Sequence, residues 1–160
     1  METIPMPEAA PDSATMDTDV RLHIYGAFLT EGAPPSVADT ARALKLSESD
    51  VADAYDRLAD GRVIVLRPGT RDVLMAAPLS AVPTRFNVRL PNGRSYHANC
   101  VWDALGVMAM LGSDGVVDAT CADCDAPVEL RVAGGVLAPS DAAVHFAVPA
   151  RRWWEDIVFT

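Results

Sequence analysis

Residues 99–111 have the sequence NCVWDALGVMAML, which predicts the principal helix of the second half of the chain. Asn99 is a favourable N-cap, so it places Cys100 at the first helical position, and Gly112 ends the helix. Around this helix, apolar runs between turn signals predict short strands over residues 85–90, 94–97, 116–120, 128–132 and 144–148. We therefore expect an α+β fold, in which a small mixed or antiparallel sheet carries one packed helix.

The sequence of residues 19–77 predicts a second unit, which consists mainly of helices. Apolar residues recur at helical spacing in three segments, which indicates three helices. These segments are residues 20–29, 37–44 and 51–58. The apolar residues 63–66 and 73–75 then flank a Pro-Gly turn, as expected of a hairpin. Because three helices and a two-stranded wing form the element order of a winged helix-turn-helix, we predict a winged-helix-like subdomain.

Residues 1–18 are rich in Pro, Ala, Ser, Thr and Asp and lack a periodic apolar pattern, so we expect a disordered arm. They have neither the basic n-region nor the apolar h-region of a secretory signal. The sequence also lacks an uncharged apolar run near the roughly 20 residues that a membrane helix needs. We therefore predict a cytoplasmic protein with an arm (1–18), a winged-helix-like subdomain (19–77) and a catalytic core (78–160).

The acidic charge of the chain limits its partners. Among 160 residues, 22 are Asp or Glu and 13 are Lys or Arg, which gives a formal net charge of −9. A surface of this sign repels phosphate backbones and anionic lipids, so we expect neither nucleic acid nor a membrane as the main partner. Residues 48–60, where the recognition helix of a winged helix would lie, contain five carboxylates and one Arg. A DNA-binding regulator is therefore only a minor alternative.

Cys100 and Asp103 are the residues that point most directly to chemistry. A cysteine at a helix N-terminus faces unpaired backbone N–H groups and the positive end of the helix dipole, which predicts a lowered thiol pKa. We therefore expect Cys100 to be the most reactive of the three cysteines. Asp103 lies on the same helix face, where burial and a neighbouring thiolate would raise the pKa of its carboxyl. The pair would supply a nucleophile and a general acid, unless Cys100 is a packing residue and Asp103 a first-turn acid.

Cys121 and Cys124 form a Cys-x-x-Cys motif between two predicted strands. Such a turn is half of a tetrahedral zinc site, which needs about four ligands, and the sequence has no second pair. The candidates for completing a zinc site are Cys100, His23, His97 and His145. A thiol pair with a redox or metal-relay role, and simple packing, are the alternatives. In a reducing compartment a structural disulfide is not expected.

Residues 96–106, with the sequence YHANCVWDALG, resemble the signature helix of the organomercurial (alkylmercury) lyase family. Met110-Leu111-Gly112 extends the similarity to the end of the helix. The flanking segments 77–84, 120–128 and 148–150 and the winged-helix-like first part also resemble the family pattern. The resemblance covers about residues 19–160, and the Asn-Cys-x-x-Asp helix is its most specific part.

Members of this family cleave carbon–mercury bonds by protonolysis, with two cysteine thiolates that bind the mercury and an aspartate that helps to deliver the proton. The resemblance implies that Cys100 is the first catalytic cysteine and Asp103 the catalytic aspartate, and that Cys121 matches a non-catalytic cysteine. Mercury would then be substrate and product, with no resident cofactor required. This agrees with the preference of soft metals for thiolate ligands.

The second catalytic cysteine of the family lies beyond the Val-Pro segment, whereas this sequence has no cysteine after Cys124. Either that cysteine follows Thr160, or this member lacks it. Cys124 would be a substitute if its turn folded toward Cys100. We therefore expect an organomercurial-lyase-like enzyme, with a non-enzymatic thiol protein that binds a soft metal ion for sensing or transfer as the alternative.

Overall fold

The computed structural model describes residues 12–158. Three helices come first, α1 (Ser13–Glu31), α2 (Val37–Leu44) and α3 (Glu48–Asp60), followed by strands β1 (Val65–Leu66), β2 (Val73–Ala76) and β3 (Leu79–Ser80). The second half consists of β4 (Phe86–Arg89), β5 (Ser95–His97), helix α4 (Val101–Leu111), β6 (Gly115–Thr120), β7 (Pro127–Ala133), β8 (Val136–Leu137) and a 3-10 helix (Ala150–Glu155). The predicted α+β class is confirmed. None of the helices in residues 12–158 combines the length and the hydrophobicity needed to cross a lipid bilayer.

Helix α1 begins earlier than the sequence pattern predicts. Asp12 caps it, since its side chain accepts a hydrogen bond of 2.9 Å from the backbone N–H of Thr15. The predicted arm of residues 1–18 is therefore wrong for residues 13–18, which are helical, while residues 1–11 lie outside the described range. Periodicity does not detect this part of the helix, because the described residues before Val20 are not buried and show no apolar stripe.

The first unit has the predicted order of three helices and a hairpin. Ser36 and Ser47 are the N-caps of α2 and α3, and each accepts a hydrogen bond of 3.1 Å from a backbone N–H three residues later. Strands β1 and β2 form the antiparallel hairpin, and β3 adds an antiparallel strand beside β2. The interpretation of this unit as a winged-helix domain stays a prediction.

The second half is built on a five-stranded antiparallel sheet with the strand order β5-β4-β6-β7-β8. Helix α4 packs on β4 and β6. The predicted strand over residues 144–148 is wrong, because this segment has no regular pairing and β8 is the edge strand instead. Pro139 and Pro149 bracket the segment, and a proline has no N–H to donate to a strand ladder.

The two halves meet at the start of α4. Apolar side chains from both, such as Ile24 and Val107, belong to one buried core. Leu79 of β3 pairs with Ala98 in an antiparallel bridge just before α4. The N-terminus of α4 therefore lies at the junction, where side chains from both halves can surround it.

Candidate functional site

A cavity of about 230 Å³ lies between the hairpin, the start of α4 and the last described residues. Most of the side chains that line it are apolar or aromatic, and they include Val63, Met75, Trp102, Phe146, Trp153 and Ile157. The polar side chains that line it are Arg62, Asn99, Cys100 and Asp103. This Cys100 cavity therefore brings the two residues predicted to carry the chemistry together in apolar surroundings.

Cys100 is itself the N-cap of α4, so the prediction of Asn99 at this position is wrong. The backbone of Cys100 is extended (φ −147°, ψ 179°), and its Sγ accepts a hydrogen bond of 3.4 Å from the backbone N–H of Asp103. The side chain of Asn99 instead donates to Asp103 Oδ2 at 3.1 Å and to the carbonyl of Leu79 at 3.4 Å. Because these two partners hold the Asn99 amide, the sulfur takes the capping position.

The thiol of Cys100 is half-buried, and this burial raises its pKa above the ordinary value. The backbone N–H groups of Asp103 and Trp102 lower this pKa, and the charge of the Asp103 carboxylate raises it. The expected lowering at the helix N-terminus is therefore wrong, because desolvation outweighs the N–H donors. At neutral pH the sulfur keeps its proton, and the Asp103 carboxylate lies close enough to influence the thiol electrostatically.

The carboxyl of Asp103 has the raised pKa that the sequence analysis predicts, and burial is its main cause. Hydrogen bonds from the Asn99 amide and the Cys100 thiol partly oppose this rise. The sulfur adds no charge repulsion to the rise in the pKa of Asp103, because it is protonated; the repulsion appears instead in the raised pKa of Cys100. A carboxyl with a raised pKa can both accept and return a proton close to neutral pH.

Residues 144–158 form an aromatic wall of the Cys100 cavity that the strand prediction does not anticipate. The ring of Trp153 packs on Phe146 with a centroid distance of 5.1 Å, and its Nε1 donates to the carbonyl of Val148 at 2.8 Å. The guanidinium of Arg62 lies 5.3 Å from the ring centroid of Trp154, a cation–π contact with the hairpin side. Three aromatic residues close to a proline are a signal for packing, but they do not identify what the rings pack against.

Tyr25 of α1 also reaches the site, and the sequence analysis assigns it no role. Its hydroxyl donates a hydrogen bond of 2.8 Å to the carbonyl of Ala77, a residue that lines the cavity. Burial raises the pKa of Tyr25, and the charge of Asp103 contributes to this rise. Tyr25 therefore connects α1 to the cavity wall and stays protonated at neutral pH.

The Cys121–Cys124 turn, residues 121–125 between β6 and β7, does not contribute to the Cys100 cavity. The backbone N–H groups of Asp123 and Cys124 donate to the Cys121 sulfur and lower its pKa, and a hydrogen bond from the Cys124 side chain adds to this effect. Cys124 is exposed. The directions of these pKa shifts run against the expectation that Cys100 is the most reactive cysteine, since the lowered pKa belongs to Cys121. Cys124 also does not fold into the cavity as a substitute second thiol.

The described residues offer no ready-made centre with several metal ligands. Between residues 12 and 158, no group of three or more His, Cys, Asp or Glu side chains is close enough together to hold a metal ion. Cys121 and Cys124 therefore have no third side chain of this kind beside them in this part of the chain. Zinc binding by them stays a prediction.

Comparison with known proteins places these observations in a family. Residues 79–160 match the family model of alkylmercury lyase (MerB). No curated protein matches the chain. Among solved structures, a crystal structure of the mercury-bound form of MerB2 matches with a TM-score of 0.62 and 22% sequence identity. The match covers 82% of this chain and 61% of that chain, so the two share a fold over about three fifths of the longer one.

Proposed function

Since this chain belongs to the alkylmercury lyase family, we propose that it cleaves the carbon–mercury bond of organomercurials by protonolysis. In this proposal Cys100 holds the mercury and Asp103 moves the proton. The observation that carries it is that Cys100 and Asp103 line one largely apolar cavity, where the Asp103 backbone N–H also donates to the Cys100 sulfur at 3.4 Å. Both reacting groups and a space for the organic group are thereby adjacent.

The first step is the binding of the organomercurial to Cys100. Mercury is soft and prefers sulfur, so the organomercury cation forms a bond with Sγ and gives up its previous ligand, such as chloride. The sulfur must lose its proton in this exchange. In this proposal Asp103 receives the proton because its carboxyl and the thiol line the same cavity, and the raised pKa of this carboxyl favours the transfer.

The second step is the cleavage of the carbon–mercury bond. The proton of Asp103 moves to the carbon atom, the electron pair of the carbon–mercury bond forms the new carbon–hydrogen bond, and the hydrocarbon leaves. The mercuric ion stays on the Cys100 sulfur, and Asp103 becomes a carboxylate again. The amide of Asn99, 3.1 Å from Asp103 Oδ2, stabilises this negative charge.

The apolar and aromatic side chains of the Cys100 cavity would bind the organic group of the substrate. A cavity of about 230 Å³ that is lined mainly by apolar and aromatic side chains favours a small alkyl or aryl group over water. Exclusion of water also strengthens the interactions between the thiol, the carboxyl and the metal. The mercuric ion that remains on Cys100 leaves by exchange onto a thiol in solution.

The proposal is tested by incubating the reduced protein with phenylmercuric acetate and measuring benzene by gas chromatography. We expect catalytic release of benzene in the presence of an excess of a small thiol, which removes the mercuric ion. Cys100→Ser should release none, because a hydroxyl is a poor ligand for mercury. Stoichiometric binding of phenylmercury without benzene would overturn the proposal and favour a non-enzymatic thiol protein that binds soft metals.

A further inference from the structure

The Cys121–Cys124 turn is a second group of sulfur atoms that the proposed mechanism does not use. Two backbone hydrogen bonds close it: the N–H of Cys121 donates to the carbonyl of Ala126 at 2.9 Å, and the N–H of Asp125 donates to the carbonyl of Cys121 at 3.1 Å. Strands β6 and β7 hold its two ends in register, with Thr120 paired to Pro127. The turn is therefore a fixed part of the sheet end.

The two cysteines of this turn are placed so that they can bind one metal ion together. Cys121 and Cys124 lie in one turn, which the hydrogen bond from the Asp125 N–H to the Cys121 carbonyl closes, so their side chains start from neighbouring points of the backbone. Cys124 is exposed, which leaves the pair open to an ion from solution.

The number of ligands selects the kind of ion. No third His, Cys, Asp or Glu side chain joins the two cysteines within residues 12–158. Structural zinc takes four protein ligands, whereas the mercuric ion is satisfied by two thiolates. A pair of sulfur atoms without further ligands therefore suits a soft ion of low coordination number.

We propose that Cys121 and Cys124 form a second binding site of this chain, which holds a mercuric ion between two thiolates. Binding forms two sulfur–mercury bonds and releases the two thiol protons to solvent. No electrons are transferred, so neither an oxidant nor a reductant is required. The carboxylates of Asp123 and Asp125 in the same turn add negative charge near the cation.

The Cys121–Cys124 turn lies at the same end of the sheet as the Cys100 cavity. Phe86, the first residue of β4, pairs with Ala119 of β6, and its carbonyl accepts a hydrogen bond from the N–H of Ala98. Cys121 lies two residues after Ala119, and Cys100 lies two residues after Ala98. Both cysteines therefore lie at the same end of the sheet. Two strand spacings, about 10 Å, separate β5 from β6. If this turn accepts the mercuric ion released at Cys100, that role rests on the proposed function. The binding of mercuric ion by Cys121 and Cys124 does not depend on it.

The test uses the full chain with Cys100→Ser, mercuric chloride as the probe, and reduced thiols. One equivalent of mercuric ion should make both remaining thiols unreactive toward Ellman's reagent, and the oligomeric state of the protein should not change. The matched control adds Cys124→Ser, which leaves Cys121 as a single ligand. In competition with glutathione, we expect the pair to retain the ion on the order of 10² times better than the single cysteine, because its second bond forms within one molecule.

Two results would overturn the proposal. One is equal retention of the ion by the pair and by the single cysteine. The other is a dimer in which one mercuric ion bridges Cys121 or Cys124 of two chains. Because the experiment contains no organomercurial and no Cys100 thiol, its outcome is independent of carbon–mercury cleavage, and a failure of the proposed function leaves this result standing.

Discussion

The sulfur of Cys100 accepts a hydrogen bond of 3.4 Å from the backbone N–H of Asp103, and the side chains of both residues are half-buried in one largely apolar cavity. Burial raises the pKa of each group, so the resting pair consists of a protonated sulfur and a carboxylate that readily accepts its proton. A metal that binds the sulfur would displace this proton toward Asp103. The same proton is then next to the carbon that must receive it.

Asn99 should control the pH dependence of the reaction. Its amide donates to Asp103 Oδ2 at 3.1 Å and lowers the pKa of this carboxyl, in opposition to burial. Asn99→Ala removes the donor, so the pKa of Asp103 should rise. As the pH falls, the Asp103 carboxylate should then become protonated at a higher pH than in the parent. We expect the acidic limb of the kcat/KM profile for benzene release to move to higher pH. An unmoved limb with a uniformly lower rate would indicate a structural role for Asn99 only.

Asp103 should reduce the stability of the folded chain at neutral pH. Its pKa is higher in the folded state than in the unfolded state, so ionisation costs folding free energy as pH rises above the ordinary value for aspartate. Asp103→Asn removes this cost, and its midpoint of urea unfolding should exceed that of the parent at pH 7. At about pH 3 the carboxyl is protonated in both states and the difference should shrink. The exposed Asp141→Asn is the control, and an equal gain in that variant would contradict the account.

The three cysteines should differ in their rates of alkylation. Burial raises the pKa of Cys100, whereas backbone N–H donors lower the pKa of Cys121, so iodoacetamide at neutral pH should modify Cys121 before Cys100. Peptide mapping by mass spectrometry over time measures the order. In urea the difference should disappear. Faster modification of Cys100 in the folded protein would show that the helix N-terminus outweighs burial.

The aromatic wall should select among organic groups. Trp153 lines the cavity and packs on Phe146 with a centroid distance of 5.1 Å. Trp153→Leu should lower kcat/KM for phenylmercury relative to methylmercury on the order of 10-fold, which corresponds to about 1.4 kcal/mol of lost apolar contact. Trp153→Phe keeps a ring at this position and should retain most of the preference. Equal losses for both substrates would place Trp153 outside the substrate-binding wall.

Local spacing predicts the pairing of Cys100 with Asp103, because residues three positions apart share a helix face in any fold. It does not predict the protonation state of Cys100, since this depends on burial by the hairpin and by residues 144–158, which are distant in sequence. The N-cap is misassigned for a related reason: Asn99 is a strong capping residue, but a tertiary contact to Leu79 and a local contact to Asp103 occupy its amide. Tyr25 is missed because a helical pattern does not indicate which loop its hydroxyl meets.

The most direct test of the central claim is a single-turnover comparison of the Cys121→Ser/Cys124→Ser chain, in which Cys100 is the remaining cysteine, with the same chain carrying Asp103→Asn, each mixed with one equivalent of phenylmercuric acetate. Two quantities are measured: bound mercury after gel filtration, and benzene over time. The account predicts that both proteins bind phenylmercury through Cys100, while Asp103→Asn releases benzene on the order of 10²–10⁴ times more slowly because its amide cannot deliver the proton. Equal rates of benzene release from the two proteins would contradict the role of Asp103 as the proton donor.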